Sequence, residues 1–193
     1  FALAQASRVV HGHTLQPTGD PDMSHRYPLP DIGQLPDDLR QKILEVQEKA
    51  GFVPQVFLAL ARRPAEWRAF FAYHDALMMP ETVGRSSNLS KGDREMIVTT
   101  TSAANECLYC VVAHGALLRI YEKKPMVADQ VATNYRKADI TPRQRAMLDF
   151  AMKVCQRSHE VDESDFQALH THGFDDEDIW DIAAITEIGR AHV

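Results

Sequence analysis

The sequence predicts an all-α protein, folded as a bundle of antiparallel helices. Three observations indicate this fold class. Apolar residues recur at the helical spacing of about 3.6 residues in most segments from residue 37 onward. Pro, Ser, Thr or Asp precedes these segments, and Gly or Pro often follows them. No segment shows a convincing strand pattern, and the short connections favour antiparallel neighbours.

The first three predicted helices lie before residue 80. PDDLRQKILEVQEKAG, residues 36–51, predicts a helix that stops at Gly51. PQVFLALARR, residues 54–63, predicts a short helix, and PAEWRAFFAYHDALMM, residues 64–79, predicts a longer one that Pro80 closes. The apolar side of the first helix is expected to carry Leu39, Ile43, Leu44 and Val46.

The next two predicted helices are separated by Asn105. LSKGDREMIVTTTSAAN, residues 89–105, begins with Ser90 as N-cap and Asp93 three residues later, an acidic form of the capping box. Its β-branched part has the weakest helix propensity of the chain. ECLYCVVAHGALLRIY, residues 106–121, forms the next predicted helix, with Asn105 as its N-cap.

Four further helices are predicted in the C-terminal part. KPMVADQVATNY covers residues 124–135, and TPRQRAMLDFAMKVCQRSH covers residues 141–159 with Thr141 as N-cap. DESDFQALHTHG at 162–173 and DDEDIWDIAAI at 175–185 complete the set. Both begin with acidic residues, which the helix dipole favours and which we expect to be solvated.

The two ends are expected to lie outside the fold. Residues 1–26 read as a disordered or non-native segment, with Met23 as a plausible start. EIGRAHV, residues 187–193, matches a translated sequencing adapter, so we expect a non-native tail in place of a continuing helix. The domain is then 27–186, with two loosely similar halves at about 27–80 and 89–186.

Composition excludes several classes of function. The chain of 193 residues is 45% hydrophobic and 25% charged, as in globular proteins, with a net charge of -6. No basic run supports nucleic-acid or membrane-surface binding, and no apolar stretch is long enough to span a bilayer. Three cysteines, two of them three residues apart, suit a reducing compartment, so we expect a cytoplasmic protein.

The segment NECLYCVVAHG concentrates the chemistry of the chain. Near a helix N-terminus, the backbone N–H groups and the dipole favour a thiolate at Cys107 or Cys110, which are close enough to form a disulfide. The dipole favours Cys107 as the more acidic thiol. His114, one helical turn after Cys110, favours Cys110 by acting as its base.

Glu95 is the candidate partner of that histidine. It precedes Cys107 by twelve residues, about 18 Å along one continuous helix. A break near Asn105 would let the two helices fold back on each other and bring the carboxylate to His114. There it would orient the imidazole ring and raise its basicity.

Together these residues form the pattern E-x11-C-x-x-C-x3-H, in which the sequence resembles the alkylhydroperoxidase D-like (AhpD-like), carboxymuconolactone decarboxylase superfamily. Residues 27–186 look like its two-part branch of peroxidase-related enzymes. The resemblance implies an all-α fold and a homo-oligomer, often a trimer or a multiple of it. It also implies an antioxidant activity, the thiol-dependent reduction of hydrogen peroxide or small organic hydroperoxides.

The resemblance assigns roles to four residues. Cys110 attacks the peroxide, Cys107 resolves the sulfenic acid to a redox-active disulfide, and His114 and Glu95 relay protons. It implies no metal, haem or flavin, but an external thiol reductant. Tyr109 stands where the best-known member has a histidine, and a phenol is a poor base at neutral pH. Decarboxylase members lack the cysteine pair, which disfavours lactone decarboxylation.

Other interpretations remain open. Cys107, Cys110, His114 and Glu95 are all possible zinc ligands, although this spacing is unusual for zinc. The scaffold could also bind a ligand or sense redox state without turnover. Cys155 reads as a core residue. Tyr109, His74 and Phe71 are the candidate substrate-binding residues. The aromatic stripe around Phe71 and His74 could line a substrate pocket, but such a stripe is more often packing.

Overall fold

The computed structural model describes residues 27–189, except for the side chains of Lys49 and Ala50. All regular secondary structure in this range is helical, which confirms the predicted all-α class. None of the helices within this range is long and apolar enough to cross a membrane. The predictions for residues 1–26 and for the last four residues of the expected tail lie outside the described residues.

The helices agree with the predicted segments to within a few residues. In order they are α1 (Asp37–Ala50), α2 (Gln55–Ala61), α3 (Pro64–Met78), α4 (Lys91–Ala104), α5 (Leu108–Glu122), α6 (Val127–Asn134), α7 (Pro142–Arg157), α8 (Glu163–Thr171) and α9 (Asp176–Ile188). Short 3-10 turns occupy Ile32–Gln34, Pro80–Val83, Tyr135–Lys137 and Ser158–Glu160.

The chain divides into two compact units after Arg68, within α3. In the first unit, Leu39 and Ile43 of α1 are fully buried. Leu44 is 47% exposed, so its predicted place on the apolar side is wrong. Its position, one residue after a buried one, turns it about 100° away from that side. Asp38 accepts two hydrogen bonds from Arg68, at 2.6 and 2.8 Å.

The second unit is organised around α4. Every residue of this helix from Gly92 to Ser102 is buried, and it packs against α5, α6, α7 and α9. Its β-branched run is helical despite a weak propensity, because burial of apolar side chains decides helix formation in a folded protein. The surrounding core includes Met96, Ile97, Val98, Leu118, Val131, Met147, Leu148, Ile182 and Ile185.

Capping boxes begin four of these helices. The box predicted at Ser90 and the N-cap predicted at Thr141 are confirmed. The acidic starts of α8 and α9 form capping boxes as well. The expectation that they are solvated is wrong for Asp178, which is 2% exposed. Asp178 accepts hydrogen bonds from the backbone N–H of Asn88 at 3.2 Å and from its side-chain amide at 3.1 Å.

A buried ion pair connects α4 to α9. The side chains of Arg94 and Asp181 are each 1% exposed, with Nη2 and Oδ2 3.4 Å apart. Arg94 also donates to the carbonyl of Leu77 at 2.7 Å, and Arg85 donates to Asp181 at 2.8 Å. Burial lowers the pKa of Arg94, and the charge of Asp181 opposes that effect. The Arg94 guanidinium therefore holds α9 and the end of α3, and the Asp181 carboxylate holds the loop before α4 through Arg85.

We predict that Asp181→Asn strongly destabilises the protein. The change leaves the Arg94 guanidinium buried without its carboxylate, which costs about 3–5 kcal/mol. Urea unfolding, followed by circular dichroism, measures the free energy of unfolding. Asp129→Asn is the matched control, because its partner Arg119 and Asp129 itself are both more than one-third exposed, and exposed pairs contribute about 0–1 kcal/mol. Equal, small losses in both variants would contradict the prediction.

Candidate active site

The turn between α4 and α5 places the two cysteines. Glu106 adopts a left-handed conformation, with φ of 57°. Its N–H donates to the carbonyl of Ala103 at 3.1 Å, and the N–H of Cys107 donates to the carbonyl of Ser102 at 3.0 Å. These two bonds form a Schellman motif, in which glycine usually takes the left-handed position. The motif ends α4 and turns the chain sharply before α5 begins.

Cys107, and not Asn105, is the N-cap of α5. The Cys107 sulfur accepts a hydrogen bond from the backbone N–H of Cys110 at 3.4 Å, and α5 begins at Leu108. The predicted cap at Asn105 is therefore wrong, because the left-handed Glu106 makes Asn105 the last residue of the preceding turn. Cys107 is partly exposed, whereas Cys110 is 1% exposed.

The surroundings of Cys110 disfavour its thiolate. Burial raises the pKa of Cys110 to about 12, and the hydrogen bond and charge of Cys107 act in the same direction. The Ser102 side chain acts in the opposite direction and lowers this pKa. The expectation of a lowered pKa at Cys110 is therefore wrong, because desolvation outweighs the helix N-terminus. Cys110 keeps its proton at neutral pH unless a base removes it.

Glu95 and His114 are in direct contact. Nδ1 of His114 lies 2.7 Å from Oε2 of Glu95, and both side chains are largely buried. This confirms that α4 and α5 fold back and bring the two residues together. A carboxylate at Nδ1 fixes the tautomer and leaves Nε2 for proton exchange. Among the hydrogen bonds of residues 27–189, none joins His114 to the Cys110 thiol, which lies one helical turn before it.

A close approach at Gly115 holds the two helices together beside His114. A methyl group added to Gly115 would lie 3.3 Å from Cβ of Ala128 in α6 and 4.0 Å from Cγ2 of Thr99 in α4. Only a residue without a side chain leaves this space without pressing on Ala128. The glycine thus lets α5 approach α4 and α6 closely, next to the histidine of the site.

Tyr109 lies beside both sulfur atoms. Partial burial raises its pKa, and the charges of Cys110 and Cys107 raise it further. The phenol is therefore protonated at neutral pH and acts as a hydrogen-bond donor, not as a base. Its side chain remains 42% exposed, so it can meet a molecule that arrives from solvent.

The other predicted substrate residues lie on α3. Nδ1 of His74 is 3.1 Å from Asp75, and its ring packs on those of Phe70 and Phe71, with centroids 6.1 and 6.0 Å away. These contacts of His74 are all with its own helix. The assignment of His74 and Phe71 to substrate binding stays a prediction.

Cys155 is buried in α7, as predicted, and its sulfur lies 3.8 Å from Nδ2 of Asn105. Within residues 27–189, no group of three or more His, Cys, Asp and Glu side chains is arranged to hold a metal ion. The four possible zinc ligands, Cys107, Cys110, His114 and Glu95, therefore do not form a metal-binding group among the described residues.

Sequence reasoning missed two residues of this region, Glu106 and Ser102. Nothing in the sequence marks Glu106 as left-handed, because glutamate has no preference for that conformation. Ser102 gave a usable signal, since it follows Glu95 by seven residues and therefore shares its side of α4.

Comparison with known proteins gives one family match, two similar crystal structures and no curated relative. Residues 64–132, which include Glu95, both motif cysteines and His114, match the family described as "Carboxymuconolactone decarboxylase family". A crystal structure described as an alkylhydroperoxidase AhpD core, an uncharacterized peroxidase-related protein from Ralstonia eutropha JMP134, is 72% identical with a TM-score of 0.80. This match covers 86% of this chain and 84% of the Ralstonia eutropha chain.

A second crystal structure is described as an uncharacterized peroxidase-related protein from Silicibacter sp. TM1040. It is 41% identical with a TM-score of 0.77, and the match covers 85% of this chain and 82% of that one. No curated protein matches the sequence. Both of these structures are thus described as peroxidase-related proteins, and both matches span most of each chain.

Proposed function

The chain belongs to the carboxymuconolactone decarboxylase family, in its alkylhydroperoxidase D-like, peroxidase-related group, and we propose that it is a cysteine-dependent peroxidase. Its substrates would be hydrogen peroxide or small organic hydroperoxides. One observation carries the proposal: a carboxylate–histidine pair, joined at 2.7 Å, lies one helical turn from a hydrogen-bonded pair of cysteines. Nucleophile, resolving thiol and base are thus present within two packed helices.

In the first step, Cys110 attacks the peroxide. His114 takes the thiol proton, the Cys110 sulfur forms a bond to the terminal peroxide oxygen, and the O–O bond breaks. The released alkoxide takes a proton from His114 and leaves as an alcohol, or as water from hydrogen peroxide. Cys110 becomes a sulfenic acid and the peroxide is reduced by two electrons. Glu95 stabilises the cationic imidazole between the two proton transfers.

In the second step, Cys107 resolves the sulfenic acid. Its sulfur attacks the Cys110 sulfur, water leaves, and a disulfide forms. The hydrogen bond from the Cys110 N–H to the Cys107 sulfur supports this step, because it keeps the resolving sulfur at the start of α5. An external thiol, small or carried by a protein, then returns two electrons and two protons. This cycle needs no metal, haem or flavin, and it suits the cytoplasm, where thiol reductants stay reduced.

A redox sensor without rapid turnover is the second candidate. The observation that favours it is the raised pKa of Cys110, which keeps most of this thiol protonated at neutral pH. A protonated thiol reacts slowly with peroxide, because the thiolate is the nucleophile. The same disulfide would then form as a slow signal. The rate of peroxide consumption separates the two functions.

We also propose that copies of the chain associate through α5, as trimers or multiples of trimers. Leu108, Tyr109, Val112 and Ile120 share one side of this helix and are all exposed, Leu108 by 77%. A contiguous apolar side of a helix in contact with water indicates an interaction surface. The surface includes Tyr109, so association would take place beside the entrance to the cysteines.

Loss of two thiols per chain tests the proposed cycle. Pre-reduced protein mixed with one equivalent of peroxide is expected to lose Cys107 and Cys110 as free thiols and to consume the peroxide. Cys110→Ser should abolish both changes, because the attacking sulfur is gone. Stopped-flow detection of peroxide and a thiol titration before and after measure them. In Cys107→Ser, a sulfenic acid should accumulate at Cys110; accumulation at Cys107 in Cys110→Ser instead would reverse the two roles.

Glu95→Gln should slow peroxide consumption about a hundredfold, since general base catalysis contributes factors of this size. The amide keeps the size of the side chain but cannot stabilise the imidazolium. Glu160→Gln, which changes an exposed carboxylate paired with Arg157, is the control and should react at the original rate. An unchanged rate in Glu95→Gln would remove Glu95 from the reaction.

Val112→Glu should dissociate the oligomer, because it places a charge in the middle of the apolar side of α5. Sedimentation equilibrium at micromolar concentration measures the mass against the 21.7 kDa of one chain. Lys137→Glu, an exposed change outside α5, should leave the mass unchanged. A wild-type protein that sediments as a single chain would contradict association.

A further inference from the structure

One side of α4 carries polar residues toward α5. Glu95, Thr99 and Ser102 occupy positions i, i+4 and i+7, which share one side of a helix. Glu95 meets His114, and Thr99 lies opposite Gly115. Ser102 continues this row by one turn. It is therefore on the side of α4 that faces the start of α5, where the cysteines are.

The backbone of Ser102 is already part of the site. Its carbonyl accepts the N–H of Cys107 at 3.0 Å, so the residue is fixed relative to the N-cap of α5. Ser102 is fully buried, and its hydroxyl makes no well-formed hydrogen bond within residues 27–189. It is nevertheless close enough to the Cys110 sulfur for a hydrogen bond to lower the pKa of that thiol. The neighbouring Thr101 hydroxyl, in contrast, bonds the carbonyl of Ile97 at 2.9 Å. A buried hydroxyl without a partner is rare in folded proteins and calls for an explanation.

We propose that the Ser102 hydroxyl is a catalytic hydrogen-bond donor to the sulfur of Cys110, with a bond that forms when this sulfur becomes charged. Its place in turnover rests on the peroxidase function proposed above. The hydrogen bond to the thiolate does not, and it can be measured without peroxide.

The change in charge explains why the hydroxyl makes no well-formed hydrogen bond in the reduced protein. A neutral thiol is a weak acceptor, so it offers Ser102 little. A thiolate is a strong acceptor, and in a buried site a donor aimed at it stabilises the charged form selectively. Consistent with this, Ser102 lowers the pKa of Cys110, while burial and Cys107 raise it. The interaction is stronger in the reacting state than in the resting state, which is the condition for catalysis.

Several other groups near Cys110 titrate and enter the design of a test. Cys107 precedes α5, Tyr109 and His114 lie on α5, and Glu95 lies on α4. Asp129 of α6, the other helix packed on α5, is paired with Arg119. A Cys107→Ser background removes the closest of these groups and leaves Cys110 as the reactive thiol of the motif.

The experiment compares Ser102→Ala with its parent in this background. The rate of iodoacetamide alkylation at Cys110 is measured from pH 7 to pH 10 by peptide mass spectrometry, which separates Cys110 from Cys155. Loss of a hydrogen bond to a charged group should raise the pKa by about one unit. The alkylation rate should then fall about threefold to tenfold at each pH, because the higher basicity of the thiolate recovers part of the tenfold loss.

Two further variants make the result specific. Thr100→Val removes another buried hydroxyl without a partner, from a different side of α4, and should alkylate at the parent rate. Ser102→Thr restores a hydroxyl and should recover most of the rate lost in Ser102→Ala. Thermal unfolding should show no loss of stability in Ser102→Ala, since the variant removes an unsatisfied polar group.

An equal alkylation rate in Ser102→Ala and its parent would overturn the proposal. An equal fall in Thr100→Val would also overturn it, because the effect would then be a general disturbance of α4. If the wild-type protein consumes no peroxide while Ser102→Ala still slows alkylation, the peroxidase function fails and the hydrogen bond to the thiolate stands.

Discussion

Burial of α4 from Gly92 to Ser102 is the constraint on which the second unit depends. A buried helix segment has to satisfy every charge that it carries, and this one carries three in succession, Asp93, Arg94 and Glu95. Asp93 is satisfied within the capping box with Ser90. Arg94 is neutralised by Asp181 of α9, and Glu95 is satisfied by His114 of α5. Successive residues point about 100° apart, so the two pairs hold different sides of the helix. The Arg94–Asp181 pair therefore fixes the rotation of α4 about its axis that directs Glu95 toward His114.

The same burial determines the chemistry of the cysteines. Removal of water disfavours the Cys110 thiolate, which a helix N-terminus alone would have favoured. In such surroundings, a nearby base and a hydrogen-bond donor have more effect than they would in water, because the effective dielectric constant is lower. Cys107, at the N-cap, remains partly exposed. The site thus combines a shielded sulfur with an accessible one, to which the proposed cycle assigns attack on the peroxide and exchange with a reductant.

Local signals in the sequence predicted most of the fold. Ser90 and Thr141 begin helices as expected, and Glu95 meets His114 because a single break in the helix permits it. Two of the errors depend on a contact that is distant in sequence and on an unusual backbone conformation. Asp178 reads as a solvated cap, but it binds Asn88, ninety residues earlier. The left-handed conformation of Glu106 places the start of α5 later than predicted. The sequence did not reveal this, because glutamate rarely adopts that conformation.

The residues of the candidate site are distributed over α4 and α5, and this distribution links stability to reactivity. The sulfurs and the imidazole belong to α5 and its N-cap. Glu95, which contacts the imidazole, and Ser102, the proposed donor to Cys110, belong to α4. Glu95 and Ser102 both hold their positions through the packing of α4, and neither is fixed by a contact with solvent. A shift of α4 by one ångström would therefore change the base and the thiolate together, and such displacements reduce catalytic rates strongly. The buried Arg94–Asp181 pair opposes that shift, although it lies outside the set of residues that the proposed cycle uses. If the proposed function holds, this pair supports the reactivity of Cys110 through the position of α4.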